Sequence, residues 1–543
     1  MTETITFLYN GTIHTLDPAY PHAQALAIRD GRILAVGSTG KVRAAAAGAR
    51  VEGIDLNRRT VLPGLTDAHV HITWYGLSRQ RVRLADVSSL DAALQRIGEQ
   101  AATLPPDAWL QGGGWNHTDW GIDWPTRYDL DRVCPDRPVA LVRKDGHSIW
   151  ANSRALALAG ITDDTPDPSG GQILRDADGV AIGMLTEAAM DVLRRVVPEP
   201  RPTERLQALQ AAIQEGLQYG LTSLHIPPGP RDDDGHETLI DLQTLYQQGA
   251  LHVRCLAHIA AREFDAMLAL GLRTGLGDDW LRIGGLKLFA DGSLGSETAA
   301  MLHPYEQRAH RGLTLIEPER LKEMVTRANR AGINVVVHAI GDAANRNVLD
   351  AIAHAQQAIA TLAEDERHPL LMPNRIEHAQ VVQPEDIRRF VELGVIASMQ
   401  PGHATSDMHM ADRLWGERCA YAYALQAFQA AGATLALGSD APIETLNPWA
   451  GVHAAVTRCR PDGTPLGGWY PDQRLSLRDA LRGYCTGPAI ASAEAHQKGM
   501  LAPGMLADLV VLPVDPFKVA PADLHTIRAD MTLVGGQVRY ERR

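Results

Sequence analysis

The chain has 543 residues, enough for three or four domains of about 150 residues or for a barrel that takes 250 or more as one unit. Its 45% hydrophobic and 21% charged residues exclude a disordered, collagen-like or coiled-coil chain. With 52 basic against 64 acidic side chains, a net charge of −12, it offers no general surface for nucleic acid or for an anionic membrane.

In chain order, the first sixty residues alternate short apolar runs with tight turns. Phe7-Leu8-Tyr9 precedes Asn10-Gly11, and Ala25 to Ile28 precede Asp30-Gly31, the pattern of antiparallel hairpins. The C-terminus has the same style in Leu509-Val510-Val511-Leu512 and in Thr532-Leu533-Val534 before Gly535-Gly536. Neither stretch alone would close a sheet, so residues 1–60 and 485–543 are expected to pair into one small composite β-sandwich domain. Between them the rhythm changes to short apolar runs separated by helical patterns, the βα signature of a parallel sheet. There are eight such runs, at 61–71, 221–226, 251–259, 281–289, 333–338, 375–378, 395–400 and 434–439. Eight imply an α/β fold of the TIM-type (β/α)8 barrel, made from residues 61–75 and 201–484. The gap after the first run is too long for a loop. Residues 76–200, rich in Trp, are therefore expected to be an inserted domain covering the active site.

No uncharged apolar run approaches the roughly 18 residues of a membrane span, and the N-terminus shows no secretory pattern. The five cysteines are scattered and never in CxxC spacing, which fits a reducing, cytoplasmic setting and excludes a thiolate zinc finger. The 21 histidines hint at metal or acid–base chemistry without locating it.

Location comes from the ends of the runs. In Thr66-Asp67-Ala68-His69-Val70-His71, the period of two puts both imidazoles on one face. At the C-terminal end of a barrel strand that face is the mouth of the barrel, and two imidazoles so spaced can chelate one metal ion. The fifth run ends in His338 and the sixth in His378, and Asp440 closes the eighth at its next residue. Four histidines and an aspartate at strand C-termini of one barrel point to a metal centre. Lys287 lies inside an apolar strand, where desolvation disfavours the ammonium and leaves a nucleophilic amine. Such an amine can capture carbon dioxide as a carbamate, an anion that two divalent ions would stabilise. The alternative is a lysine that reaches outward or pairs with Asp291.

With these residues assembled, the chain resembles the amidohydrolase superfamily, in the branch that holds N-substituted formamide deformylases. The resemblance implies that His69, His71 and Asp440 bind one metal ion and that His338 and His378 bind a second. Carboxylated Lys287 would bridge two divalent ions, with zinc expected and manganese or iron as alternatives. It further implies hydrolysis of a C–N amide-type bond in an N-formyl or N-acyl amine, by metal-activated hydroxide, with Asp440 as proton shuttle. The same fold could act on esters or cyclic amides, deaminate a ring, or persist as a non-catalytic regulator. Gly112 to Trp115, Arg143 to His147 and Ser398 to His403 match the branch's pocket-lining segments. His147 and His403 are expected to orient substrate or to hydrogen-bond an oxyanion, with a structural role as the alternative for each. Glu187 is a weaker candidate, and Trp449 with the insert's tryptophans would line an apolar pocket or simply pack. The expected partner is a small-molecule amide, with no nucleic acid and no membrane, and a homodimer is the base-rate oligomer.

Overall fold

A computed structural model of the chain describes residues 4–105, 108–144, 146–229 and 234–542. They divide into two compact units, one of residues 1–72 with 210–543 and one of residues 73–209. The second unit starts three residues earlier and ends nine later than the insert read from sequence.

The larger unit holds eight parallel strands in sequence order: β1 (Leu65–Asp67), β2 (Leu221–Ile226), β3 (Arg254–Ala260), β4 (Leu281–Phe289), β5 (Val335–Ala339), β6 (Arg375–His378), β7 (Ile396–Met399) and β8 (Leu435–Leu437). Neighbours pair in register, for example Lys287↔Val336 between β4 and β5 and Val337↔Ile376 between β5 and β6. The last strand meets the first through the Ala68 N–H, which donates to Leu437 O at 3.1 Å, and the Asp440 N–H, which donates to His69 O at 2.7 Å. Strands buried on both faces carry continuous β-branched runs, as in Val335-Val336-Val337, all at 0% exposure. Each such valine stabilises the barrel by about 1.5–3 kcal/mol of burial.

Two further sheets come from the chain ends. One has four strands, in the order Arg32–Gly37, Ala25–Arg29, Thr4–Tyr9, Arg50–Asp55. The other has six, in the order Gln537–Glu541, Met531–Val534, Leu509–Leu512, Thr60–Pro63, Thr12–His14, His22–Ala23. The two termini thus share one ladder, with Val510 opposite Leu62 and Val511 opposite Val61. Leu8 and Ile28 from the first sheet join Val61, Leu509 and Leu533 from the second in one core.

The run at 61–71, read from sequence as a single barrel strand, is divided between two sheets. Thr60–Pro63 belongs to the terminal sheet, and only from Leu65 does the chain enter the barrel. Gly64 is the crossing point. Its N–H bonds to Asp508 O, while the next N–H, from Leu65, bonds to Gly220 O. A Cβ on Gly64 would lie 2.2 Å from Thr222 Oγ1, so the close approach requires glycine. A second departure lies at 419–431, read as one helix. It is a 3-10 turn, Gly416–Tyr421, followed by a helix at Leu425–Ala431.

The smaller unit has a six-stranded sheet in the order Gly171–Arg175, Ala181–Glu187, Ser148–Ala151, Val139–Arg143, Leu110–Trp115, Val82–Arg83. Trp115 and Trp150 are fully buried in its core, and their indole N–H groups donate to Leu141 O and Thr126 O, each at 2.8 Å. Trp449 is equally buried in the larger unit, with its N–H on Tyr219 O. These three tryptophans are packing residues, not the walls of a pocket. Among the described residues no helix is long and apolar enough to cross a membrane.

Candidate metal centre

Four strand ends meet at the barrel mouth. His69 and His71 follow β1, His338 lies near the end of β5, His378 ends β6 and Asp440 follows β8. Among the described residues, His69, His378 and Asp440 each offer a ligand atom, all within 4.8 Å of one another. His71 Nε2 lies 3.3 Å from Asp440 Oδ1. The rings of His338 and His378 are 4.5 Å apart between centroids. Backbone conformation marks the same residues, since His378 and Asp440 adopt left-handed φ values of 73° and 58°. Non-glycine residues held there carry strain that the surrounding structure sustains, a property typical of functional positions. Gly438 makes room for the turn, because a Cβ on it would sit 2.5 Å from His69 N.

A metal ligand must present a lone pair, so one ring nitrogen of each histidine must give up its proton and the other keep it. Three of the rings are pinned in that way. His69 Nδ1 lies 2.5 Å from Glu377 Oε2, His378 Nδ1 lies 2.8 Å from Gln400 Oε1, and His338 Nε2 lies 2.9 Å from Gly292 O. Each partner accepts only, which assigns the proton to the nitrogen named and frees the other. His69 Nε2 is buried and has no hydrogen-bond partner among the described residues. The residues present therefore fit a divalent metal centre. His69, His71, His338, His378 and Asp440 hold nitrogen and oxygen donors of the type that zinc, manganese and iron accept.

The electrostatics agree. Burial lowers the His69 pKa to about 4, and burial with the Lys287 charge lowers that of His338 to about 3. Burial drives His378 well below its ordinary value. Neutral imidazole is the ligating form. Burial works against the charge of Asp440, but hydrogen bonds from His403 and His71 outweigh it and hold the carboxyl well below the usual carboxylate range. His71 and His403 respond in the opposite sense: burial lowers them, and the Asp440 carboxylate raises them overall.

Lys287 is 1% exposed, with its Nζ 4.7 Å from the centroid of the Phe289 ring, so it does not reach outward. Nor is Asp291 waiting to receive it. Its carboxylate accepts the backbone N–H groups of Ala300, Ile340 and Gly341 at 2.8–3.0 Å. Burial lowers the Lys287 pKa to about 8, against the pull of Glu377 and Asp440. The amine is thus far more nucleophilic near neutrality than an ordinary lysine.

The two histidines proposed for substrate contacts part company. His403 Nε2 lies 3.2 Å from Asp440 Oδ2 and belongs to the centre. His147 is in the smaller unit, where its Nδ1 lies 2.9 Å from Glu187 Oε1. Glu187 has φ 48° and ψ −124°, an unusual conformation at the junction of a strand and a helix. The two candidates are therefore a hydrogen-bonded pair. Asp145, between Arg143 and His147, lies outside the described residues.

Sequence reasoning missed Arg375, Glu377 and Gln400. Arg375 donates to both oxygens of Glu377 (2.6 and 3.1 Å), to His225 Nδ1 (3.0 Å), to Ala68 O (2.7 Å) and to Ser398 Oγ (2.8 Å). The available signal was a charged pair two apart, Arg375-Ile376-Glu377, within a barrel strand and hence on one face.

Comparison with known proteins follows the same line. The model of the amidohydrolase family matches residues 52–540. Protein LONG AFTER FAR-RED 3 of Arabidopsis thaliana is 35% identical over 98% of this chain and 91% of its own length. The N-substituted formamide deformylase of Arthrobacter pascens is 29% identical over 98% of each chain. An uncharacterised metal-dependent hydrolase of Pyrococcus furiosus, solved by crystallography, superposes with a TM-score of 0.75 at 28% identity, over 95% of this chain and 100% of that one.

Proposed function

Because the chain belongs to the amidohydrolase family, we propose that this metal-dependent hydrolase cleaves a C–N amide-type bond in an N-formyl or N-acyl amine. The observation that carries the reading is the placement of Asp440. Its carboxylate is ionised and buried, 3.3 Å from His71 Nε2 and 3.2 Å from His403 Nε2, and grouped with His69 and His378. The similarity to an N-substituted formamide deformylase over nearly the full length of both chains supports the bond class.

His69, His71 and Asp440 would hold one ion, His338 and His378 a second, and a carbamate on Lys287 would join them. When bound, divalent ions make a water acidic enough to lose a proton near neutral pH and polarise the scissile carbonyl. Asp440 takes the proton of the attacking water on Oδ1 or Oδ2 and returns it to the departing nitrogen, since an unprotonated amide anion is a poor leaving group. His403, with Nε2 3.2 Å from Asp440 Oδ2, holds the carboxylate in place by charge. His147 is oriented through Nδ1 by Glu187 within the smaller unit.

The test is turnover by zinc- or manganese-loaded protein on N-formyl amines and N-acyl amino acids, set beside matched esters, cyclic amides and amino-substituted rings. Release of amine from the first group above the others supports the reading. Selective cleavage of esters or rings assigns the centre to another bond.

A further inference from the structure

The three pinned histidines do not rest on equal partners. Behind His378 stands a neutral amide oxygen, Gln400 Oε1 at 2.8 Å, and behind His338 a neutral backbone carbonyl, Gly292 O at 2.9 Å, with the Asp291 carboxyl beyond hydrogen-bond reach at 3.7 Å and already accepting three backbone N–H groups. Behind His69 stands a full negative charge, Glu377 Oε2 at 2.5 Å. Glu377 and His69 are 0% and 1% exposed, so water does not screen the contact. Arg375 grips both carboxylate oxygens and is itself anchored on Ala68 O and Ser398 Oγ, which fixes the direction in which Glu377 points. A charged acceptor draws the Nδ1 proton toward itself and makes the opposite ring nitrogen a stronger donor, whereas a neutral acceptor only orients the ring.

We infer that the two metal positions are unequal, and that Glu377 makes the position on His69 the tighter one. The inference rests on the two-ion reading above and deepens it. The ion on His338 and His378 is the exchangeable one, and Glu377 is a positioning residue that acts through His69.

The experiment is a titration of chelator-stripped protein with zinc, followed by calorimetry and by competition with a chromophoric chelator. The wild-type chain should take up two ions per molecule in two resolved steps. Glu377→Gln keeps an oxygen for the His69 N–H but removes the charge, and should weaken the tight step about 10–100-fold while leaving the weak step in place. Gln400→Glu puts a charge behind His378 and should tighten the weak step, a gain that damage to the fold would not produce. If Glu377 served only as the counter-charge of Arg375, the pair Arg375→Met with Glu377→Gln would restore the tight step; the inference expects no restoration. Two equal steps in the wild type, an unchanged tight step in Glu377→Gln, or restoration in the double variant overturns the inference and leaves the two-ion reading standing. Uptake of a single ion overturns both.

Discussion

Two clusters of charge in the larger unit are comparably shielded from water and yet built in opposite ways. Arg254 and Asp508, 3% and 6% exposed, join barrel strand β3 to the sheet of the chain ends. Each nitrogen of the guanidinium has an acceptor: Nε on Asp508 Oδ2 at 2.5 Å, Nη2 on Oδ1 at 2.9 Å and Nη1 on Asp279 O at 2.8 Å. The Trp280 ring lies against the guanidinium, and Asp508 also accepts the Gly535 N–H. At the mouth of the barrel the geometry is left open. His69 Nε2 has no hydrogen-bond partner among the described residues, and His378 and Asp440 bear left-handed backbone. Three histidines there are held neutral by burial, beside an aspartate that stays ionised. Burial of charge is common to both places. What separates a clamp from a working centre is the set of donor atoms left unspent.

Substitutions can break this contrast at either end. Asp440→Asn should lower turnover about a thousandfold while most of the metal is retained, since the amide keeps an oxygen but cannot carry the proton. Retained activity in that variant removes the shuttle role. At the clamp, Arg254→Met leaves the Asp508 carboxylate buried without its partner and should cost about 3 kcal/mol of unfolding free energy. Denaturant melts measure that loss, and activity per folded molecule should not change. If activity fell in step with stability, the two clusters would not be separable.

Smaller effects sharpen the division within the centre. Gln400→Leu removes the acceptor that orients His378 and should weaken uptake of the more loosely held ion about tenfold, read by equilibrium dialysis. The smallest concerns Lys287. Desolvation disfavours its ammonium, so the neutral amine, the form from which a carbamate would be made, prevails above about pH 8 instead of only above the ordinary lysine value. At fixed dissolved carbon dioxide, reconstitution of metal-free protein should therefore quicken about fivefold between pH 7 and pH 8. A rate that falls over that interval contradicts the carbamate route.

Much of this was legible in the sequence, for definite reasons. A histidine that closes an apolar run declares its place at a barrel mouth, so His69, His71, His338, His378 and Asp440 could be grouped before any coordinates. Lys287 showed itself because a charge inside an apolar run is costly. The same argument applies to Arg375 and Glu377, but their run is only four residues long, too short to mark its charges as buried. Gln400 lies within the segment from Ser398 to His403, but a neutral amide carries no sign of which ring it orients. The division of residues 60–71 between two sheets depends on Gly64 meeting Thr222, a contact across more than 150 positions of chain that local patterning does not encode.

The most direct test of the centre is a crystal structure of zinc-loaded protein with anomalous data collected on both sides of the zinc edge. Two anomalous peaks are expected, one against His69, His71 and Asp440 and one against His338 and His378, with continuous density extending the Lys287 amine between them. A mouth without either peak in protein that binds zinc in solution would contradict the account.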